Sequence, residues 1–303
     1  MRPYTFKQVQ TFLEVARQGS VSKAAERLFI TQPAVSMQLR QLEDAFGLAL
    51  VEPHGRNIRL THAGQVFVEH ATRAMGEFKN LEAQMASFVG LRRGRIDLAV
   101  VSTAKYFVPM LLTHFARHAP DVEVRLNIEN REQVLGRLTR FEADLAIMGR
   151  VPAELDCEAT AFATNPLAIV APPEHPLTRR KALPFSALGD YGFLVREAGS
   201  GTRAAMQRLF EANQTPLKVV MELPSNETIK QAVMAGMGLS FLSLRTVRHE
   251  LASGHLALLE VHGLPQVNHW YVAHLRSHKL SPAAAAFKAF LIEQAAGLMD
   301  AWR

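Results

Sequence analysis

Gln32, Ser36 and Arg40 stand at steps of four along the chain, with Met37 beside them. On a helix that spacing makes one polar row. An amide, a hydroxyl and a guanidinium in a row are groups that hydrogen-bond to base edges and phosphates of duplex DNA. Val35, Leu39, Leu42 and Phe46 recur on the opposite side, so the helix has an apolar back to bury. The elements that must position this row lie in residues 20–47, which read as two short helices joined by a tight turn. Ser20 or Ser22 caps the first helix, and Ala24, Ala25 and Leu28 give it a small apolar face. Thr31 caps the second, Pro33 falls in its first turn, where a missing N–H costs nothing, and Gly47 ends it. An ordinary helical hairpin inside a core has the same pattern, so the surrounding chain decides.

Around the hairpin, Phe6, Val9, Phe12, Leu13 and Ala16 place a first helix behind it. After Gly47, the stretch LALVEPHGRNIRLT reads as two short strands about a His54-Gly55-Arg56-Asn57 turn. Such a wing carries Arg56 to a groove or a phosphate, unless that arginine is merely a solvated loop cation. Phe67, Ala71, Ala74, Phe78, Leu81, Met85 and Phe88 then alternate at four and three residues, the pattern of a coiled-coil seam. Arg92-Arg93-Gly94-Arg95 reads as a hinge. Residues 1–95 hold 13 Lys and Arg against 8 Asp and Glu, whereas the remainder is nearly balanced. A basic head on a neutral body suits DNA.

The body alternates strand and helix: strands at 96–101, 122–128 and 145–148, helices at 108–118 and 131–140. That order implies a parallel, doubly wound sheet. Later strands are expected at 167–170, 219–223, 239–242 and 270–275, helices from about 200 and 226, and a closing helix over 282–302. In such folds ligands sit beyond the carboxyl ends of strands, against helix N-termini. Three loops qualify: Ser102-Thr103-Ala104-Lys105, Ser200-Gly201-Thr202 and Asn226-Glu227-Thr228. Each could be a helix cap and nothing more, but together they mark a site for a small anion. Asn130, Arg131, Gly149 and Arg150 lie at further strand ends, and Lys105, Arg150 and Arg203 would add charge.

No catalytic constellation is present. The 12 histidines have no metal-ligand spacing, Ser200 lacks a nucleophile elbow, and there is no dinucleotide or phosphate-binding glycine fingerprint. An apolar share of 48% with 20% charged residues fits a globular chain. One cysteine, no secretory leader and no membrane-spanning run point to the cytoplasm.

Residues 4–64 resemble the winged helix-turn-helix of LysR-type transcriptional regulators. The likeness is carried by Ser20, Ser22, Ala24, Ala25, Leu28, Thr31, Gln32, Pro33, Ala34, Val35 and Ser36, then by Arg59, Leu60, Thr61, Ala63 and Gly64. Met37 departs from a usually basic position and Pro53 from a usual wing arginine. The body is further similar to regulators of Calvin-cycle carbon-fixation operons, through STAKYFVP (102–109), NREQVLGRL (130–138), DLAIMGR (144–150), REAGSGTR (196–203) and SNETIKQAVMAGMGLSFLSL (225–244).

The resemblance implies a winged helix-turn-helix DNA-binding domain over 1–64, a linker and dimerisation helix over 65–90, and an effector-binding domain over 91–303. The last is expected as an α/β fold like periplasmic solute-binding proteins, with subdomain I at about 95–162 and 269–303 and subdomain II at about 163–268. The chain would cross between them near 162 and 268. DNA contacts are expected from Ser20, Ser22, Thr31, Gln32, Pro33, Ser36, Met37, Arg40 and Arg56, and effector contacts from the loops above. Further implications are promoter DNA as partner, a homodimer or homotetramer, RNA polymerase as a further contact, and no resident cofactor. NADPH, ribulose bisphosphate and phosphoenolpyruvate are the effectors it suggests. A solute-binding protein with an incidental head, or an enzyme on the same fold, are the rival readings.

Overall fold

The computed structural model describes residues 3–55, 57–89 and 94–301, so Arg56, Arg92 and Arg93, as well as the side chain of Phe88, lie outside the described residues. The chain divides into two compact units, Met1–Lys79 and Asn80–Arg303.

The first unit is built on α1 (Phe6–Gln18), α2 (Val21–Leu28) and α3 (Gln32–Phe46), followed by β1 (Val51–His54), β2 (Asn57–Leu60) and the start of α4 (His62–Val89). Each boundary has a local cause. Thr5 and Gln8 form a reciprocal cap on α1, Ser20 Oγ accepts from the Lys23 amide, and Thr31 Oγ1 accepts from the Ala34 amide. Gly19 and Gly47 end α1 and α3 in the left-handed region, whereas α2 ends on Phe29 at φ 55°, a conformation that an aromatic side chain resists. Phe12, Val15, Ala24, Val35, Leu39 and Leu42 close the core. Of the face expected on α1, Phe6 is instead exposed and Val9 half-buried, while Thr11 and Val15 are buried.

The wing pairs Val51 with Leu60 and His54 with Asn57. Glu43 of α3 pins it, accepting from the Leu50 and Val51 amides. The start of α4 is packed so closely that a Cβ on Gly64 would lie 2.0 Å from the Leu50 carbonyl oxygen.

In the second unit follow β3 (Gly94–Val101), α5 (Val108–His118), β4 (Val122–Glu129), α6 (Arg131–Thr139), β5 (Leu145–Met148) and β6 (Cys157–Ala171). Then come β7 (Gly192–Arg196), α7 (Gly201–Ala212), β8 (Lys218–Leu223), α8 (Asn226–Met234), β9 (Ser240–Ser243), α9 (Arg248–Ala252), β10 (Ala257–Leu258), β11 (Gln266–Leu275) and α10 (Pro282–Ala301). β3 lies parallel between β4 and β5, as βαβ crossovers require. The sheet as a whole is mixed, because β11 runs antiparallel to both β5 and β6. That corrects the expected all-parallel order.

β6 is 15 residues long where only 167–170 had been expected. Cys157 to Leu167 pairs with β11 beside β5, and Leu167 to Ala171 pairs with β9 and β10. Two cores flank this shared ladder. Lobe I is closed by Leu98, Leu111, Ile147, Phe287 and Leu291, with α5 and α10 packed through the Phe115 and Phe287 rings at 4.9 Å. Lobe II is closed by Phe193, Phe210 and Phe241 on one side and Ile229, Val233 and Leu242 on the other.

Candidate functional site: a groove-reading helix and an interlobe cleft

In the first unit the polar row of α3 is presented to solvent. Gln32, Pro33, Met37 and Arg40 are exposed and Ser36 is half-buried. Their backs, Val35, Leu39 and Leu42, are in the core, so the row cannot rotate inward without emptying it. Ser22 Oγ donates to Gln32 Oε1 at 3.3 Å, which holds the amide at the helix start. Ser20 and Thr31 spend their hydroxyls on helix caps. Arg40 forms no ion pair among the described residues. Arg59 of the wing is paired with Glu52.

The apolar row of α4 splits in two. The Phe67 ring packs edge-on against Phe12 and Phe46, and Ala71 is 6% exposed, so these two belong to the core of the first unit rather than to a free seam. Ala74, Phe78, Leu81 and Met85 are exposed. A heptad pattern alone cannot separate the two faces.

In the second unit a cleft lies between the lobes. Lobe I contributes Ser102 and Thr103 after β3, Asn130 before α6 and Gly149 after β5. Lobe II contributes Ser200, Gly201 and Thr202 at the start of α7. The two sides touch through Arg131, whose aliphatic stem lies 3.3 Å from where a Gly201 Cβ would be. Ser200 holds the capping position of α7 and is buried, yet makes no side-chain cap bond. The first amides of α7 are thus left for another acceptor, and the helix dipole favours a negative one.

Five expected effector residues lie elsewhere. Ala104 is buried in the lobe I core. Lys105 Nζ sits 5.3 Å over the Tyr106 ring, Glu227 accepts from Tyr106, and Thr228 is exposed, none of them lining the cleft. Asn226 is 2% exposed and accepts from Arg196 Nη1 at 2.5 Å, one layer behind the pocket. Arg203 is likewise spent, donating to the Arg196 carbonyl and to Glu222.

Several cleft residues escaped the sequence reading. Arg196, 3% exposed, ends β7 and donates through Nε and Nη2 to the Glu197 carboxylate at 2.7 and 2.8 Å. Asn165, Asn268 and Trp270 come from the two crossing strands, and Arg208 from α7. An arginine closing an apolar strand is the one signal that was on view. Asn165 Oδ1 accepts from Ser243 Oγ at 2.7 Å, which turns its amide nitrogen toward Gly149.

An exposed, firmly backed helix row on a winged head, joined in one chain to a two-lobed domain with an anion-friendly cleft, defines a ligand-sensing DNA-binding protein. The comparisons agree. Residues 6–65 match the family model for the bacterial regulatory helix-turn-helix protein, lysR family, and residues 90–296 match the LysR substrate binding domain. The chain belongs to the LysR family of transcriptional regulators and is a regulator rather than an enzyme. It is 42% identical over 293 residues to the RuBisCO operon transcriptional regulator of Allochromatium vinosum, covering 96% of this chain and 97% of that one. It is 44% identical over 297 residues to the HTH-type transcriptional regulator CfxR of Cupriavidus necator, covering 98% and 93%. The regulatory domain of Synechocystis CcmR, solved in complex with 2-PG, matches with a TM-score of 0.64 at 42% identity, over 66% of this chain and 96% of that one. No helix among the described residues is long and apolar enough to cross a membrane.

Proposed function

We propose that this LysR-type regulator binds promoter DNA of a carbon-fixation operon and activates it when a small anionic metabolite enters the interlobe cleft. The reading is supported by the relatives named for the RuBisCO operon and by the CcmR neighbour that holds 2-PG. The observation that carries it is the α7 start. Ser200 and Thr202 face Ser102, Thr103 and Asn130 across the cleft, with no side chain capping the helix. A ligand bridging these groups gains contacts only when both lobes are in place, so it favours one lobe arrangement over others. The protein would act in the cytoplasm as a homodimer or as a homotetramer built from two dimers, with RNA polymerase as its partner at the promoter.

Calorimetry with 2-PG, NADPH, ribulose bisphosphate and phosphoenolpyruvate, paired with gel retardation on operator DNA, tests the reading. At least one ligand binds the wild type, and Thr202→Ala weakens it while leaving effector-free DNA binding intact. Equal affinity in wild type and variant places the site outside this cleft. Turnover of any bound metabolite would contradict a purely regulatory role.

A further inference from the structure

The cleft continues past its neck. Beyond Arg150 and Arg208 it opens into a wider groove walled by Val151, Leu209, Ala212, Val267 and Tyr271. Three arginines stand around the neck: Arg131 at the start of α6, Arg150 just after β5 and Arg208 on α7. Many arginines of this unit are matched by carboxylates, as Arg137 is by Glu129, Arg203 by Glu222 and Arg245 by Asp300. None of the neck arginines forms an ion pair among the described residues, and their one hydrogen bond runs from Arg131 Nε to the Arg150 carbonyl at 3.1 Å. Burial, and then the charge of Arg150, hold Arg131 below the usual arginine range. Arg208 is lowered by burial, by Arg150 and by Arg131. Glu154 and Glu211 act on them only through space. Gathering like charges with no carboxylate bonded to them leaves a repulsion that a bound anion relieves.

We propose that Arg131, Arg150 and Arg208 form a second anion subsite, at the outer end of the pocket that begins at the α7 start, so that the cleft holds two phosphate groups at once. This deepens the reading of the cleft as the effector site and rests on it. The inner phosphate meets hydroxyls and helix amides; the outer one meets guanidiniums, whose planar forks match its oxygens. One bisphosphate molecule or two monophosphate molecules present the same chemistry to the two subsites.

Calorimetry on the full chain with 2-PG and with ribulose bisphosphate distinguishes these sources. Two equivalents of 2-PG per chain mark separate molecules. One equivalent of the bisphosphate, bound about tenfold or more tighter than 2-PG, marks a single bridging ligand. In either case Arg208→Gln and Arg150→Gln abolish the outer contribution. The second 2-PG equivalent disappears, or the bisphosphate weakens about 10- to 100-fold, while the first 2-PG stays within about threefold and the melting temperature is unchanged. Thr202→Ala affects the inner equivalent instead. A single 2-PG equivalent with no preference for the bisphosphate overturns the second subsite and leaves the cleft reading standing. So does an equal loss of both ligands in the arginine variants. Failure of the wild type to bind either ligand overturns both.

Discussion

Arg196 Nη2 donates to Ser102 Oγ at 3.0 Å, tying the end of β7 in lobe II to the loop after β3 in lobe I. The same guanidinium holds Glu197 through two bonds and Asn226 through a third. Its charge is therefore neutralised inside the protein, and its work is to join the lobes rather than to hold an anion.

Removing it leaves buried partners without a donor. Arg196→Ala is expected to lower unfolding stability by about 2–4 kcal/mol, since a stranded buried partner costs more than the bond itself contributed. Arg196→Lys recovers little of this, because an ammonium cannot reproduce the fork. Urea unfolding measures both, and a stability within about 0.5 kcal/mol of wild type would remove the tie from the account.

Phe29 carries the opposite expectation. It is 94% exposed and held at φ 55°, so its side chain offers the fold no burial while straining the backbone. Phe29→Gly should stabilise the head by up to about 1 kcal/mol. Thermal melting of the variant reads the gain, and a lower melting temperature would mean that the aromatic ring has a contact of its own.

On α3, Gln32→Ala and Ser36→Ala should reduce operator affinity by roughly 1–3 kcal/mol each while changing non-specific binding little. Arg40→Ala should weaken both alike and lower the salt dependence. Gel retardation on operator and random DNA across a salt series separates the two behaviours. Parallel losses on both DNAs for Gln32→Ala would take it off the base edges.

How far these residues could be read in advance follows from where their constraints lie. Val108–His118 is found at the expected bounds because its apolar period is local and a proline follows at 120. β6 was seen only in part. Glu158, Ala159 and Thr164 are exposed and Pro166 sits inside it, so its length is fixed by pairing with β11, which no local pattern reports. Phe67 and Phe78 occupy like positions in one periodic row, yet the first packs on Phe12 and the second is 49% exposed. The anion-friendly loops were legible as helix starts. That Ser200 faces the cleft while Asn226 lies behind Arg196 depends on contacts 30 residues apart and more.

Tyr106 donates to Glu227, which also pairs with Lys230 at 2.9 Å. Burial first, and then Glu227, push the Tyr106 phenol above its ordinary range. Burial raises Glu227, but the bonds from Tyr106 and Lys230 outweigh it and hold the carboxyl low. The stabilisation from Tyr106 is thus intact below about pH 10 and is lost as pH climbs beyond it; that from Glu227 is present above about pH 4.3 and is lost as pH falls further. Tyr106→Phe should cost about 0.5–1.5 kcal/mol between these limits, with the difference from wild type shrinking above pH 10. Unfolding at a series of pH values checks this, and a difference that grows in alkali would reverse the assignment.

Leu81 is 49% exposed on α4. If the exposed row there is the contact between two copies, Leu81→Asp puts an unpaired charge into an apolar seam. Sedimentation should then show a shift toward monomer, and operator binding should weaken because two recognition helices no longer span successive major grooves. A fully dimeric variant places the contact elsewhere.

The ladder formed by β6 and β11 runs through both lobes without a break, apart from one register shift between Trp270 and Tyr271. No slack segment separates the halves of the body, so reorienting one against the other means twisting a hydrogen-bonded ribbon. Such a ribbon behaves as a torsion spring: it resists in proportion to the angle and returns when released. The irregularity in the ribbon falls at Trp270, a residue that also lines the pocket, so any such twist would meet the ligand's wall at the one place where the pairing is out of register.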